Sequence, residues 1–158
     1  MTQELKLELQ RFALQIRIGI LEQLKARGFG HIGGSLSVAD ALAVLYGSVM
    51  RVDAENSTRE ARDKLVCSKG HAGPAVYAAL ALKGFFPYDE LKTLNQPGTR
   101  LPSHCDRNKT PGVDMTTGSL GQGTSLAVGM ALGDKLKGLD SRTFLIVGDG
   151  EANEGQVW

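Results

Sequence analysis

The stretch TFLIVGDGEANEG, residues 143–155, runs from an uninterrupted apolar segment straight into a glycine-flanked acidic turn. A short apolar run without alternation, ended by a turn signal, predicts a strand over 143–147 that lies in a parallel sheet covered on both faces. Asp149 follows that strand directly. A carboxylate there can hold a hard cation through oxygen, with the Gly150 amide facing a phosphate carried by the same ion. It can equally cap the next helix, and the tripeptide alone leaves both readings open.

Working outward, SLGQGTSLAVGMALGDKLKG at 119–138 reads as a helix entered through glycines. Before it, 95–117 is irregular and holds three of the five prolines. An ordered loop of that length is usually functional. KGHAGPAVYAALALKG reads as a turn and an alanine-rich helix, with Pro74 in its first turn and Gly84 at its end. A short helix falls near 88–94, and KLVCS at 64–68 reads as a strand. Leu5, Leu9, Phe12, Ile16, Ile20 and Leu24 recur every three or four residues, the period of an amphipathic helix that stops at Gly28. Ser37 with Asp40 forms a capping box for a second helix with Val38, Leu42, Leu45 and Val49 on its inner stripe. Helices alternating with short apolar strands give an α/β domain, a parallel sheet with helices on both faces, over 1–158. Functional loops belong at the carboxyl ends of its strands.

Composition narrows the function classes. The 158 residues are 42% hydrophobic and 22% charged, with a net charge of +1. That length suits one core. Scattered basic residues argue against a nucleic-acid partner, and no continuous apolar run reaches the roughly eighteen residues of a membrane span. A charged, amphipathic N-terminus without a signal-peptide core makes a cytoplasmic protein the default. Cys67 and Cys105 form no CxxC pair; Cys67 reads as a small buried hydrophobe. Asn56-Ser57-Thr58 and Asn108-Lys109-Thr110 match the glycosylation pattern, which carries little weight without a secretion signal. Glycine is the unusual component, 20 residues clustered at 28–34, 70–73, 118–123 and 148–155. Such clusters let backbone approach a ligand closely.

GFGHIG at 28–33 satisfies G-x-G-x-x-G, but a long helix precedes it where a dinucleotide fingerprint needs a strand. No P-loop is present. The three histidines, His31, His71 and His104, all fall in loops or turns. A tri-histidine metal site would explain that, yet zinc sites usually include a close pair of ligands. Hydrogen-bonding and proton-transfer roles are preferred, since imidazole titrates near neutral pH.

GHIGGSLS (30–37), CSKGHAGPAVYAAL (67–80), TTGSLGQGTSLAVGMALG (116–133) and GDGEANEG (148–155) together resemble the N-terminal part of transketolases, in order and spacing, from about Arg17 onward. The wording is most similar to the bacterial split-gene type, in which diphosphate-binding and pyrimidine-binding halves are separate subunits. Deoxyxylulose-phosphate synthases share the GDG turn but usually lack a glutamate at the place of Glu154 and the TGSLGQG wording. The 2-oxoacid dehydrogenase α-subunits lack the GHIGG loop.

The resemblance implies a thiamine-diphosphate-binding fold and transfer of a ketol unit from a ketose phosphate to an aldose phosphate, as in pentose phosphate metabolism. It makes Asp149 a ligand of Mg²⁺ or Ca²⁺ and sets the Gly150 amide and His71 against the diphosphate of thiamine diphosphate. Gly118, Ser119 and Leu120 would line the cofactor. His31 and His104 would bind donor hydroxyls, and His31 could also move protons. Glu154 would join a carboxylate cluster at a subunit interface. Arg107 and Lys109 are candidates for a substrate phosphate. The partner implied is a pyrimidine-binding subunit or domain, in a dimer or heterotetramer. In this family the metal motif continues to an asparagine beyond Trp158, so the chain by itself is expected to be inactive and to expose apolar faces. A non-catalytic interaction module is the alternative from another class.

Overall fold

Strands β1 (Lys64–Cys67) and β2 (Thr143–Ile146) pair in parallel, with Leu65 opposite Phe144 and Cys67 opposite Ile146. The computed structural model describes residues 1–55 and 59–158, so the Asn56-Ser57-Thr58 match lies outside the described residues. Side chains alternate across a strand. Leu65, Cys67, Phe144 and Ile146 therefore turn to one face and join the main core. Lys64, on the other face, reaches Asp134 of helix α5 (Gln122–Leu136) at 2.5 Å. Helices thus lie on both faces of the sheet, as an α/β chain requires.

The main core is built by α1 (Gln3–Arg27), α3 (Ala39–Val44) and α4 (Gly73–Leu82). α1 starts where the Thr2 side chain accepts from the Leu5 amide and stops at Gly28, whose φ of 87° ends the helix. It buries Leu9, Ala13, Ile16, Ile20 and Leu24. Buried Gln23 ties it to α4 by donating to the Pro74 carbonyl at 2.8 Å. α4 is buried on all sides from Gly73 to Ala81, a helix enclosed by the core rather than lying on it. Residues Tyr88–Thr93 form a 3₁₀ turn rather than an α-helix.

Three expectations are corrected. Ser37 and Asp40 make no capping box: Ser37 Oγ donates to the Gly34 carbonyl, Asp40 pairs with Arg17, and the helix begins after Val38 without a side-chain cap. The helical run is split into α2 (Ile32–Leu36), α3 and a π-helical turn, Leu45–Val49. Secondly, Ile32–Val49 does have the length and mean hydropathy (1.4) of a membrane span. Its apolarity serves the core, since Val38, Ala39, Leu42, Ala43 and Tyr46 pack there. Thirdly, β2 is only partly covered, although helices lie on both faces of the sheet. None of its residues is fully buried and Leu145 is 36% exposed, because no described strand lies along its outer edge. The neighbouring side of α5 is open too, presenting Leu126, Val128, Leu132 and Leu136.

Two buried carboxylates fix the approach to the sheet. Asp63, fully buried, accepts from the Arg51 and Arg142 amides, both at 2.9 Å, and from both guanidiniums. It joins the segments that enter β1 and β2 and so sets their register. Burial pushes its pKa up, but the hydrogen bonds from Arg142 and Arg51 outweigh that and hold it far below the usual carboxylate range. Asp114 pairs with Arg62 and accepts from the Leu65 amide at 2.7 Å, which closes the free edge of β1.

Candidate functional site

Both strands point their carboxyl ends at one group of loops. After β1 the chain turns through Ser68, Lys69 and the 3₁₀ turn Gly70–Ala72, which carries His71. After β2 it turns through Gly148, Asp149 and Gly150 into the 3₁₀ turn Glu151–Asn153. A Cβ built on Gly148 would lie 3.6 Å from Lys69 Cδ, so the two turns are neighbours.

The three histidines, far apart in sequence, meet here. The His31 ring centroid lies 5.2 Å from that of His71 and 5.9 Å from that of His104, the rings tilted rather than stacked. Each is delivered by a different device. His31 precedes α2, held through Gly34 and Ser37, which receive the Lys69 ammonium at 3.0 and 2.8 Å. Gly34 must be glycine: a Cβ there would stand 2.7 Å from the His71 ring. His104 sits in the long irregular loop, which the buried Tyr77 hydroxyl pins by donating toward the Pro102 and His104 carbonyls at 2.9 and 3.0 Å. Thr117 anchors the far end of that loop, its hydroxyl donating to the Cys67 carbonyl at 2.7 Å.

Two of the imidazoles, His71 and His104, are biased toward the neutral form. Burial lowers the His71 pKa, and the positive fields of His31, Lys69 and His104 lower it further against the opposing pull of Glu151. Burial and His31 lower that of His104. A neutral ring offers one N–H donor and one acceptor, which suits hydroxyls and proton exchange. Among the described residues no three His, Cys, Asp or Glu side chains are arranged to hold a metal ion.

Gly118 lies against His104, with 3.5 Å from a Cβ at that position to the ring. Ser119 and Leu120 are exposed on the same approach to α5. Asp149 and Gly150 are exposed; the Asp149 carboxylate caps no helix and has no side-chain partner among the described residues. Glu154 is also exposed, with its Cβ beside Gly121. Arg107 and Lys109 line a separate open cleft of about 650 Å³ with Arg59, Arg62 and Asp114.

Sequence reasoning missed three residues of the site. Lys69 links the His31 loop to the His71 turn. Thr117 fastens the His104 loop. Glu151, only 2% exposed, accepts from the Gly121 amide at 2.8 Å, the Gly148 amide at 2.9 Å and the Ser68 hydroxyl. Burial raises its pKa, but these three hydrogen bonds and His71 bring it below the ordinary value. Periodicity could not reveal them, because each acts between segments distant in sequence.

Residues 9–157 match the family model described as transketolase, thiamine diphosphate binding domain. The chain is 56% identical over 155 residues to the 6-deoxy-6-sulfo-D-fructose transketolase subunit of a Clostridium species, covering 98% of this chain and 56% of that protein. It is 37% identical to one of the apulose-4-phosphate transketolase subunits of Actinobacillus succinogenes, over 97% of this chain and 55% of that one. It thus spans about half the length of the curated relatives it matches. The transketolase from Leishmania mexicana superposes with a TM-score of 0.87 at 34% identity, covering 93% of this chain and 24% of that structure.

Proposed function

Since the chain belongs to the transketolase family, through its thiamine diphosphate-binding domain, we propose that it supplies the diphosphate-binding side of an enzyme that moves a ketol unit from a ketose to an aldose. The observation that carries this reading is the convergence of His31, His71 and His104 on the loops at the carboxyl ends of both strands. A pyrimidine-binding subunit or domain completes the site, in a dimer or heterotetramer.

The residues present fit the cofactor's diphosphate. His71 offers a neutral ring beside the Gly148–Gly150 turn, and glycine at positions 34 and 118 leaves room that a Cβ would fill. For the cation the fit is partial. The Asp149 carboxylate is free to bind Mg²⁺ or Ca²⁺, but Mg²⁺ demands six oxygen ligands in near-ideal geometry. Asp149 with the Gly150 turn is this chain's share of that shell. When bound, thiamine diphosphate supplies an electron sink for the pair released as the donor's C2–C3 bond breaks.

The chain's own residues do the rest. His71 would donate to a phosphate oxygen, and the Gly150 amide would face the same group. Gly118, Ser119 and Leu120 would line the cofactor. His31 and His104 hold donor hydroxyls, and His31 passes protons between them and the site. Glu154, exposed at the rim, meets carboxylates of the pyrimidine-binding half. The free, buried Cys67 and Cys105 agree with a reducing, cytoplasmic setting.

The donor is a ketose with an anionic tail. Phosphate is one choice; the 56% identity to a sulfo-fructose transketolase subunit favours sulfonate as a second. The test is an assay of the complete protein, with its partner subunit where that is separate. Donors would be 6-deoxy-6-sulfofructose, fructose 6-phosphate and xylulose 5-phosphate, with an aldose phosphate as acceptor. Ketol transfer that depends on thiamine diphosphate supports the reading, and the preferred donor decides between sulfonate and phosphate. No transfer from any donor, with cofactor and Mg²⁺ present, would sink it.

A further inference from the structure

Glu151 is a buried carboxylate that touches three of the segments from which the site is built. Its Oε1 accepts from the Gly121 amide at 2.8 Å and from the Ser68 hydroxyl, and its Oε2 accepts from the Gly148 amide at 2.9 Å. Ser68 follows β1 and leads into the His71 turn. Gly121 opens α5 and follows Gly118, Ser119 and Leu120. Gly148 opens the Asp149 turn.

Each contact answers a local need. Gly121 has φ of 85° and begins α5 without any side-chain cap of its own, so Glu151 supplies an acceptor and a negative charge at that helix start. Gly148 places its amide inward, which leaves the Asp149 carboxylate turned out and free. Ser68 is fully buried and has its acceptor in Glu151. Burying a carboxylate is costly unless hydrogen bonds satisfy it, and here both oxygens are satisfied by groups of the site loops alone.

We propose that Glu151 is a positioning residue: it clasps the Ser68, Gly121 and Gly148 segments together and so sets the shape in which this chain presents His71, Gly118 and Asp149 to a diphosphate and its cation. The inference rests on the cofactor reading given above. It assigns Glu151 no contact with substrate or cofactor.

The chemistry singles out one substitution. In Glu151→Gln the side chain keeps its shape but has one acceptor oxygen and one NH₂. Whichever way the amide lies, its NH₂ faces either the Gly148 or the Gly121 amide, donor against donor. Ser68 can adapt, because its hydroxyl rotates to accept as well as to donate. One backbone segment of the clasp is therefore released while the core is left in place. Ser68→Ala removes one contact to Oε1 and leaves both amides held, so its effect is smaller.

The experiment uses the complete protein, with partner subunit if separate, and takes two readouts. The first is amide hydrogen exchange without cofactor, over peptides covering 118–123 and 146–152. Faster exchange of one or both in Glu151→Gln, with the α1 and α4 peptides unchanged, is expected. The second is thiamine diphosphate affinity in Mg²⁺ by calorimetry, together with kcat at saturating cofactor. Affinity is expected to fall about ten- to a hundredfold, the range for residues that support a ligand shell from behind, with kcat within about twofold because no transition-state contact is removed. Unchanged exchange and unchanged affinity would overturn the proposal. So would a uniform loss of protection across the protein, which marks a residue serving stability alone. If the unaltered protein binds no thiamine diphosphate, the cofactor reading fails, and the exchange result still decides whether Glu151 clasps the loops.

Discussion

His31 acts on the other two histidines of the cluster. Burial lowers the pKa of His71 and His104, and the positive field of His31 lowers both further. A base whose pKa is lowered stays neutral to lower pH than it would alone, and both rings are shifted that way from the ordinary imidazole value of about 6.5. Their protonation should fall on the acid side of that value in an NMR titration of the histidine ring protons. Replacing His31 by Gln removes one repelling charge and should move the His71 and His104 midpoints upward. Midpoints that stay where they were would show that burial alone sets them. The sequence made these three residues legible as candidates because histidines beside glycine-rich turns are conspicuous. It did not make Glu151 or Lys69 legible. A glutamate after Gly-Asp-Gly reads as one more surface acid until the parallel sheet draws Ser68 and Gly121 around it.

The elements that carry these residues were mostly readable. α1 and α4 announce themselves by period and punctuation, from the leucine and isoleucine stripe to Pro74 and Gly84. The capping box at Ser37 failed for a physical reason: Ser37 and Asp40 are engaged elsewhere, by Gly34 and Lys69 in one case and by Arg17 in the other. Tertiary partners outcompete a local pattern worth about 1 kcal/mol. Strand register was not readable either, because it is set by Asp63, a residue with no sequence signal beyond its place before an apolar run. Its carboxylate is wholly buried between Arg51 and Arg142. Asp63→Asn should destabilise the protein by about 2 kcal/mol or more, less than a fully buried pair because both guanidiniums are half exposed. The pH dependence follows from the sign of the shift. A carboxylate held below its unfolded value stabilises the fold above about pH 4, and that contribution is lost as pH falls further. Urea unfolding of the wild type and the variant should therefore differ most at neutral pH, with the gap narrowing steadily as pH falls below about 4. A gap that does not narrow in acid would contradict the ionic role of Asp63.

On the scale of the molecule, two helical layers hold a pair of parallel strands so that four glycine-bearing segments meet at one end. That arrangement explains why glycine is frequent, and why it gathers at 28–34, 70–73, 118–123 and 148–155 rather than in a repeat. The same end carries all three histidines and the free Asp149 carboxylate. Elsewhere the described residues leave apolar surface open: the outer side of α5 presents Leu126, Val128, Leu132 and Leu136, and β2 is half open. Apolar faces of that kind are built to be covered. In the proposed function the histidine and glycine end grips the diphosphate of thiamine diphosphate through His71 and, with a divalent cation, through Asp149. The most direct test is calorimetric titration of the complete protein with thiamine diphosphate, with and without Mg²⁺, alongside His71→Ala and Asp149→Ala. Tight binding that needs Mg²⁺ and weakens at least about tenfold in each variant is expected, the loss of one charge-assisted contact or metal ligand. Binding indifferent to Mg²⁺ and to both substitutions would contradict it.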